Sequence, residues 1–71
     1  MSDLNSRSVI KTLQRAGFRV LRNRDHVRLS DGMHFVSVPH QTHDLRLRTF
    51  RLILKQAGMS VEQFERWRRQ R

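Results

Sequence analysis

In the stretch RNRDHVRLSDG, residues 22–32, His26 sits between arginines, with Arg22 and Arg24 before it and Arg28 after it. A histidine in this setting is an ordinary strand residue, a phosphate contact, or an acid–base group. The third role has a definite chemistry. Cleavage of a ribose phosphodiester without a metal uses the 2′-hydroxyl as an internal nucleophile. A base must take its proton, and cations must stabilise the charge that develops on the phosphate oxygens. Histidine titrates close to neutral pH and can act as base or acid. Guanidinium presents a planar fork of donors that matches phosphate oxygens. His26 with Arg22, Arg24 and Arg28 therefore supplies the types such a reaction needs. Asp25 has the chemistry to orient an imidazole, but adjacent strand residues point to opposite faces, which argues against that role.

The remaining candidates read as structural. His34 falls where a strand-surface residue would. His40 and His43 have a His-x-x-His spacing, but they lie on a loop with no third ligand in view, so no metal site and no cofactor is expected. Trp67 and Phe64 have the chemistry to stack bases, yet their helical spacing reads as packing. Arg66, Arg68, Arg69 and Arg71 form a basic tail suited to RNA or to acidic groups on a partner.

Elements that would position these residues follow from periodicity. Val9, Leu13 and Ala16 share one face of a helix over Arg7–Ala16, which Asn5 or Ser6 can cap and Gly17 can end. Phe18 and Val20 alternate with Arg19 and Leu21, and Val27 and Leu29 alternate with His26 and Arg28, giving two strands joined through Asn23–Asp25. Ser30-Asp31-Gly32 is a turn, and Phe35–Val38 form a third strand stopped by Pro39. Thr49 is suited to cap a second helix with the stripe Phe50, Ile53, Leu54 and Ala57, which Gly58 ends. Ser60 and Gln63 match a capping box opening a short last helix, in which Val61, Phe64 and Trp67 can face the body.

The expected fold is α+β, an α-β-β-β-α two-layer sandwich like that of double-stranded-RNA-binding domains. Its three-stranded antiparallel sheet has the helices on one face. Residues 1–71 form a single domain. The open sheet face would carry Arg19, His26 and Arg28, away from Val27 and Leu29.

Charge narrows the partners. Lys and Arg together number 15 against 6 acids, a formal net charge of +9, and Lys11 and Lys55 are the only lysines. An arginine-rich small domain suggests nucleic acid or an acidic protein. There is no cysteine, which excludes disulfides and thiolate metal sites and fits a reducing cytoplasm. No apolar run approaches the ~20 residues of a membrane span, and MSDLNSRSVIKTL lacks the apolar core of a signal peptide. A cytoplasmic protein without membrane contact is expected.

Several pieces together carry a family resemblance. ILKQAGMS, residues 53–60, follows DLRLRTFR; VPH, residues 38–40, ends the third strand; and QRAGF ends the first helix. Asp44, Leu45, Thr49, Arg51 and the run 53–58 match a pattern of Asp-Leu, Gly-Thr, Leu-Arg and Ile-Leu-Lys-Gln-Ala-Gly. Over about residues 5–66 the chain resembles the HicA family, the small ribonuclease toxins of HicA–HicB toxin–antitoxin pairs. The resemblance implies a metal-independent messenger-RNA endonuclease with His26 at the catalytic position, at the start of the second strand. It also implies RNA and a HicB-like antitoxin as partners. Arg19, Arg22, Arg24 and Arg28 are the candidate RNA contacts. The chain departs from the family where Asn23-Arg24 replaces a Gly-Ser step, where Asp25 precedes the histidine, and where Arg48 replaces a glycine. Two other readings stand beside it. One is a non-catalytic RNA-binding module on the same scaffold, favoured by the loss of Gly-Ser. The other is a basic adaptor for an acidic protein.

Overall fold

The computed structural model describes residues 4–40 and 44–70. The element order is α1 (Ser6–Arg15), β1 (Arg19–Asn23), β2 (His26–Ser30), β3 (Phe35–Pro39), α2 (Leu47–Ala57) and α3 (Val61–Arg68). The strands form one antiparallel sheet in the order β1-β2-β3. This is the α-β-β-β-α, α+β arrangement expected from the sequence.

α1 starts where Asn5 Oδ1 accepts the Ser8 N–H at 2.8 Å. Of the two residues able to cap it, Asn5 does so. Ser6 is buried instead, and its hydroxyl donates to the Pro39 carbonyl, tying the helix to the end of β3. Gly17, at φ 104°, ends the helix in a conformation that L side chains avoid.

Period-two patterning sets the sheet's two faces. Val27, Leu29, Val36 and Val38 turn inward and are at most 3% exposed. They meet Val9 and Leu13 from α1, Phe50, Ile53, Leu54 and Ala57 from α2, and Phe64 from α3 in one core. Each of the valine, leucine, isoleucine and phenylalanine side chains, fully buried, contributes roughly 1.5–3 kcal/mol. The Phe50 and Phe64 rings meet edge to face, with centroids 5.0 Å apart at 77°. That contact joins the two C-terminal helices. α2 also closes the free edge of β3, where Gln56 Oε1 accepts the Ser37 N–H at 3.0 Å.

Three local expectations differ from the structure. Val20 is 40% exposed rather than core, because the helices pack chiefly over β3 and leave β1 largely uncovered, with all five of its residues exposed; Phe18, just before it, is buried at 4%. α2 begins after Arg46, with no side-chain cap, and not after Thr49. Leu45 is buried and its N–H bonds the Leu4 carbonyl at 2.8 Å, which holds the chain against the body early enough for Phe50 N–H to close the first turn on Arg46. Val61 is 50% exposed. It stands about 60° around α3 from Phe64 and shares the outward surface with Glu62, Glu65 and Arg69. α3 otherwise begins with the expected capping box of Ser60 and Gln63.

Candidate functional site

β2 places His26 and Arg28 on the face opposite Val27 and Leu29, and both are exposed. The pairing with β3 sets His26 opposite Pro39 and Arg28 opposite Ser37. Among the described residues the helices pack on the other face, against Val27, Leu29, Val36 and Val38.

Arg22 reaches the same face through an irregularity in β1. The register runs Val20↔Leu29 and then Arg22↔Arg28, leaving Leu21 as an extra, unpaired residue. Strict alternation would put Arg22 on the side of Val20. The bulge turns it to the side of Arg28, since directly paired residues share a face. Arg24 and Asp25 form the short connection into β2, where the Arg24 N–H bonds the His26 carbonyl at 3.3 Å.

Arg22, Arg24, Asp25, His26 and Arg28 together line one open depression of about 330 Å³. Of the sequence-expected site residues, the structure thus brings His26, Arg22, Arg24 and Arg28 together. Arg19 lies apart on the same strand, opposite Ser30, and does not line the depression. Among the described residues, no hydrogen bond joins Asp25 to His26. Asn23 is engaged elsewhere: its Oδ1 lies 2.8 Å from His40 Nε2.

The other candidates separate from this cluster. His43 and Arg71 lie outside the described residues. Among the described residues no group of three or more histidines or carboxylates is placed to hold a metal. His34 is not a strand residue but part of the β2–β3 turn. Its N–H bonds Asp31 Oδ1 at 2.7 Å, and its Nδ1 lies 3.2 Å from Asp31 Oδ2. The N–H groups of Met33 and His34 hold the Asp31 carboxyl down to about 2. Phe64 is a core residue and Trp67 is half-buried, in keeping with packing. In the basic tail, Arg68 pairs with Glu65 at 2.8 Å, and Arg15 donates to the Arg68 carbonyl at 3.2 Å.

Sequence reasoning passed over Phe35. It is 72% exposed on the open face, opposite Ser30, and the signal was its alternation with buried Val36 and Val38.

No helix among the described residues is long and apolar enough to cross a membrane. Searches of curated proteins and of solved structures each returned no match. Against protein-family models, residues 6–59 match the HicA toxin of bacterial toxin–antitoxin systems. That match takes in the first helix, the whole sheet and the second helix, and the chain belongs to the HicA toxin family.

Proposed function

We propose that this toxin is a metal-independent endoribonuclease acting on messenger RNA in the cytoplasm, with His26 as its catalytic acid–base group. The observation that carries this reading is the grouping of an exposed histidine with Arg22, Arg24 and Arg28 around one open depression. The arginines clamp the scissile phosphate and His26 takes the proton from the adjacent 2′-hydroxyl. The 2′-oxygen then bonds to phosphorus as the bond to the 5′-oxygen breaks, and that oxygen takes a proton from water. The products are a 2′,3′-cyclic phosphate and a 5′-hydroxyl. Arg19, farther along β1, holds the strand beyond the reacting step. A HicB-like antitoxin neutralises the toxin by covering the depression, and the net charge of +9 speeds its approach when the partner is acidic.

The test is induction of wild type and His26→Ala at matched expression, with growth and total messenger RNA followed together. In parallel, the purified chains are given RNA in the presence of a chelator. Wild type should arrest growth, degrade messages and leave cyclic-phosphate ends with chelator present. His26→Ala should cut roughly a hundred- to ten-thousand-fold more slowly, the scale of a lost general base. Equal behaviour of the two removes His26 from catalysis and leaves an RNA-binding module, the reading that the replaced Gly-Ser step favours. Cleavage abolished by the chelator sinks the metal-independent mechanism.

A further inference from the structure

Two depressions on the open sheet face share a wall. The one around His26 is lined by Arg22 and Arg28, and so is a second, of about 610 Å³, whose other lining residues include Leu21, Phe35, Ser37 and Gln56. The same two guanidinium groups thus stand between His26 and a hollow of mixed polar and apolar lining. Phe35 is 72% exposed and Leu21 59% exposed, and both belong to strands: Phe35 alternates with buried Val36 in β3, and Leu21 follows Val20, which pairs with buried Leu29, in β1.

We infer that Phe35, backed by Leu21, is the stacking platform for one nucleobase of the single-stranded RNA whose phosphates Arg22 and Arg28 hold. This inference rests on the ribonuclease reading and names how the substrate's bases are gripped. A sheet-borne aromatic beside arginines is the chemistry that single-stranded nucleic acid uses, since every base has a π face and every linkage a phosphate. Phe35 is two positions along β3 from Ser37, which faces Arg28, so base and phosphate contacts are within one nucleotide's reach. It is four positions from Pro39, which faces His26, or about 13 Å along the strand. The stacked base therefore belongs to a nucleotide flanking the cut, and Phe35 is a positioning residue. Ser37 and Gln56, with the two arginines, supply the polar part of the hollow's lining.

The experiment uses the full chain carrying His26→Ala and a short, unstructured, fluorescein-labelled RNA. Phe35→Ala, added to this chain, should weaken binding roughly five- to a hundred-fold and leave the slope of log affinity against log salt unchanged, because no charge is lost. Phe35→Trp, in a Trp67→Phe background, should keep the affinity, and its fluorescence should be quenched by the RNA. A single abasic site walked along the RNA should reproduce the loss at one position, with no added loss in Phe35→Ala. Phe35 is exposed, so its replacement leaves the core intact; circular dichroism checks this. Unchanged affinity in Phe35→Ala, with binding lost in Arg28→Ala, overturns this inference alone and leaves the apolar patch to a protein partner. Absence of RNA binding by the Phe35-containing chain at low salt overturns the ribonuclease reading as well.

Discussion

Arg22 and Arg28 are direct cross-strand neighbours, set opposite each other by the bulge at Leu21. Like charges in this relationship repel, at a cost of roughly 0.2–1 kcal/mol. On the proposed ribonuclease reading, a phosphate lying across this pair would relieve the repulsion.

Replacing one arginine should therefore move stability and binding in opposite directions. Arg28→Thr removes the repulsion and places a β-branched residue in β2, so thermal unfolding should shift upward, by about 0.2–1 kcal/mol. RNA affinity should fall, and the slope of log affinity against log salt should lose about one unit, as for one released counterion. Calorimetry and a salt-dependent titration on the same variant check both. A variant that is weaker in both respects would mean that Arg28 serves the fold.

Asp31 gives the fold an acid-sensitive component. Its carboxyl accepts the N–H groups of Met33 and His34 at 2.9 and 2.7 Å, which lower its titration from 3.8 to about 2. A group whose value is depressed in the folded state stabilises that state fully above its unfolded value and loses the contribution as pH falls through the folded one. Asp31→Asn should therefore be less stable than wild type at neutral pH, with the gap closing between about pH 4 and pH 2. Denaturant titrations across that range measure it. A gap that stays constant with pH would show that the carboxylate's charge is not what the turn uses.

Which parts of this molecule could be read from sequence follows from where local rules and tertiary geometry agree. β2 and β3 were legible because they lie in the interior of the sheet or against a helix, so burial enforces the alternation of Val27, Leu29, Val36 and Val38. Gly58 and the Ser60–Gln63 pair were legible because their signals are local, a left-handed glycine and a reciprocal cap. β1 was legible as a strand but not in its faces: little helix packs on it to enforce the alternation, and the bulge that re-aims Arg22 has no residue signature in RVLRN. The start of α2 was misplaced because Leu45 and the Leu4 carbonyl, far apart in sequence, fix it rather than Thr49. At the candidate site, His26 was reached through its place among arginines and through the family pattern, and Arg22, Arg24 and Arg28 through their nearness to it in the chain. That Arg19 stands apart from the other three follows from register alone.

The end of α2 abuts the β2–β3 turn, and glycine is required there for two reasons. Gly58 adopts φ 67°, and a Cβ on it would lie 2.5 Å from His34 Nε2. Gly58→Ala should cost about 1–2 kcal/mol from the left-handed backbone, plus the displacement of His34. In the His34→Ala background only the backbone part should remain, so the two substitutions should be less than additive. Urea unfolding of the four chains measures the coupling, and strict additivity would place the His34 ring elsewhere.

The contact between Phe50 and Phe64 decides whether α3 belongs to the folded unit or only rests on it. Phe64 is fully buried and meets Phe50 edge to face at 5.0 Å, so it is the anchor of an eight-residue helix too short to hold itself. Phe64→Ala should cost roughly 3–5 kcal/mol, a large part of the margin of a domain this small. Because Phe64 is continuous with the core formed by Leu13, Leu54 and Val36, the loss should appear as one cooperative transition at lower denaturant, with the slope unchanged. Circular dichroism and the fluorescence of Trp67, on α3 itself, provide independent probes of the whole chain and of that helix. Coincident curves identify a single folding unit. A fluorescence transition that precedes the loss of secondary structure would show α3 detaching by itself, with the sheet and its arginine cluster still folded.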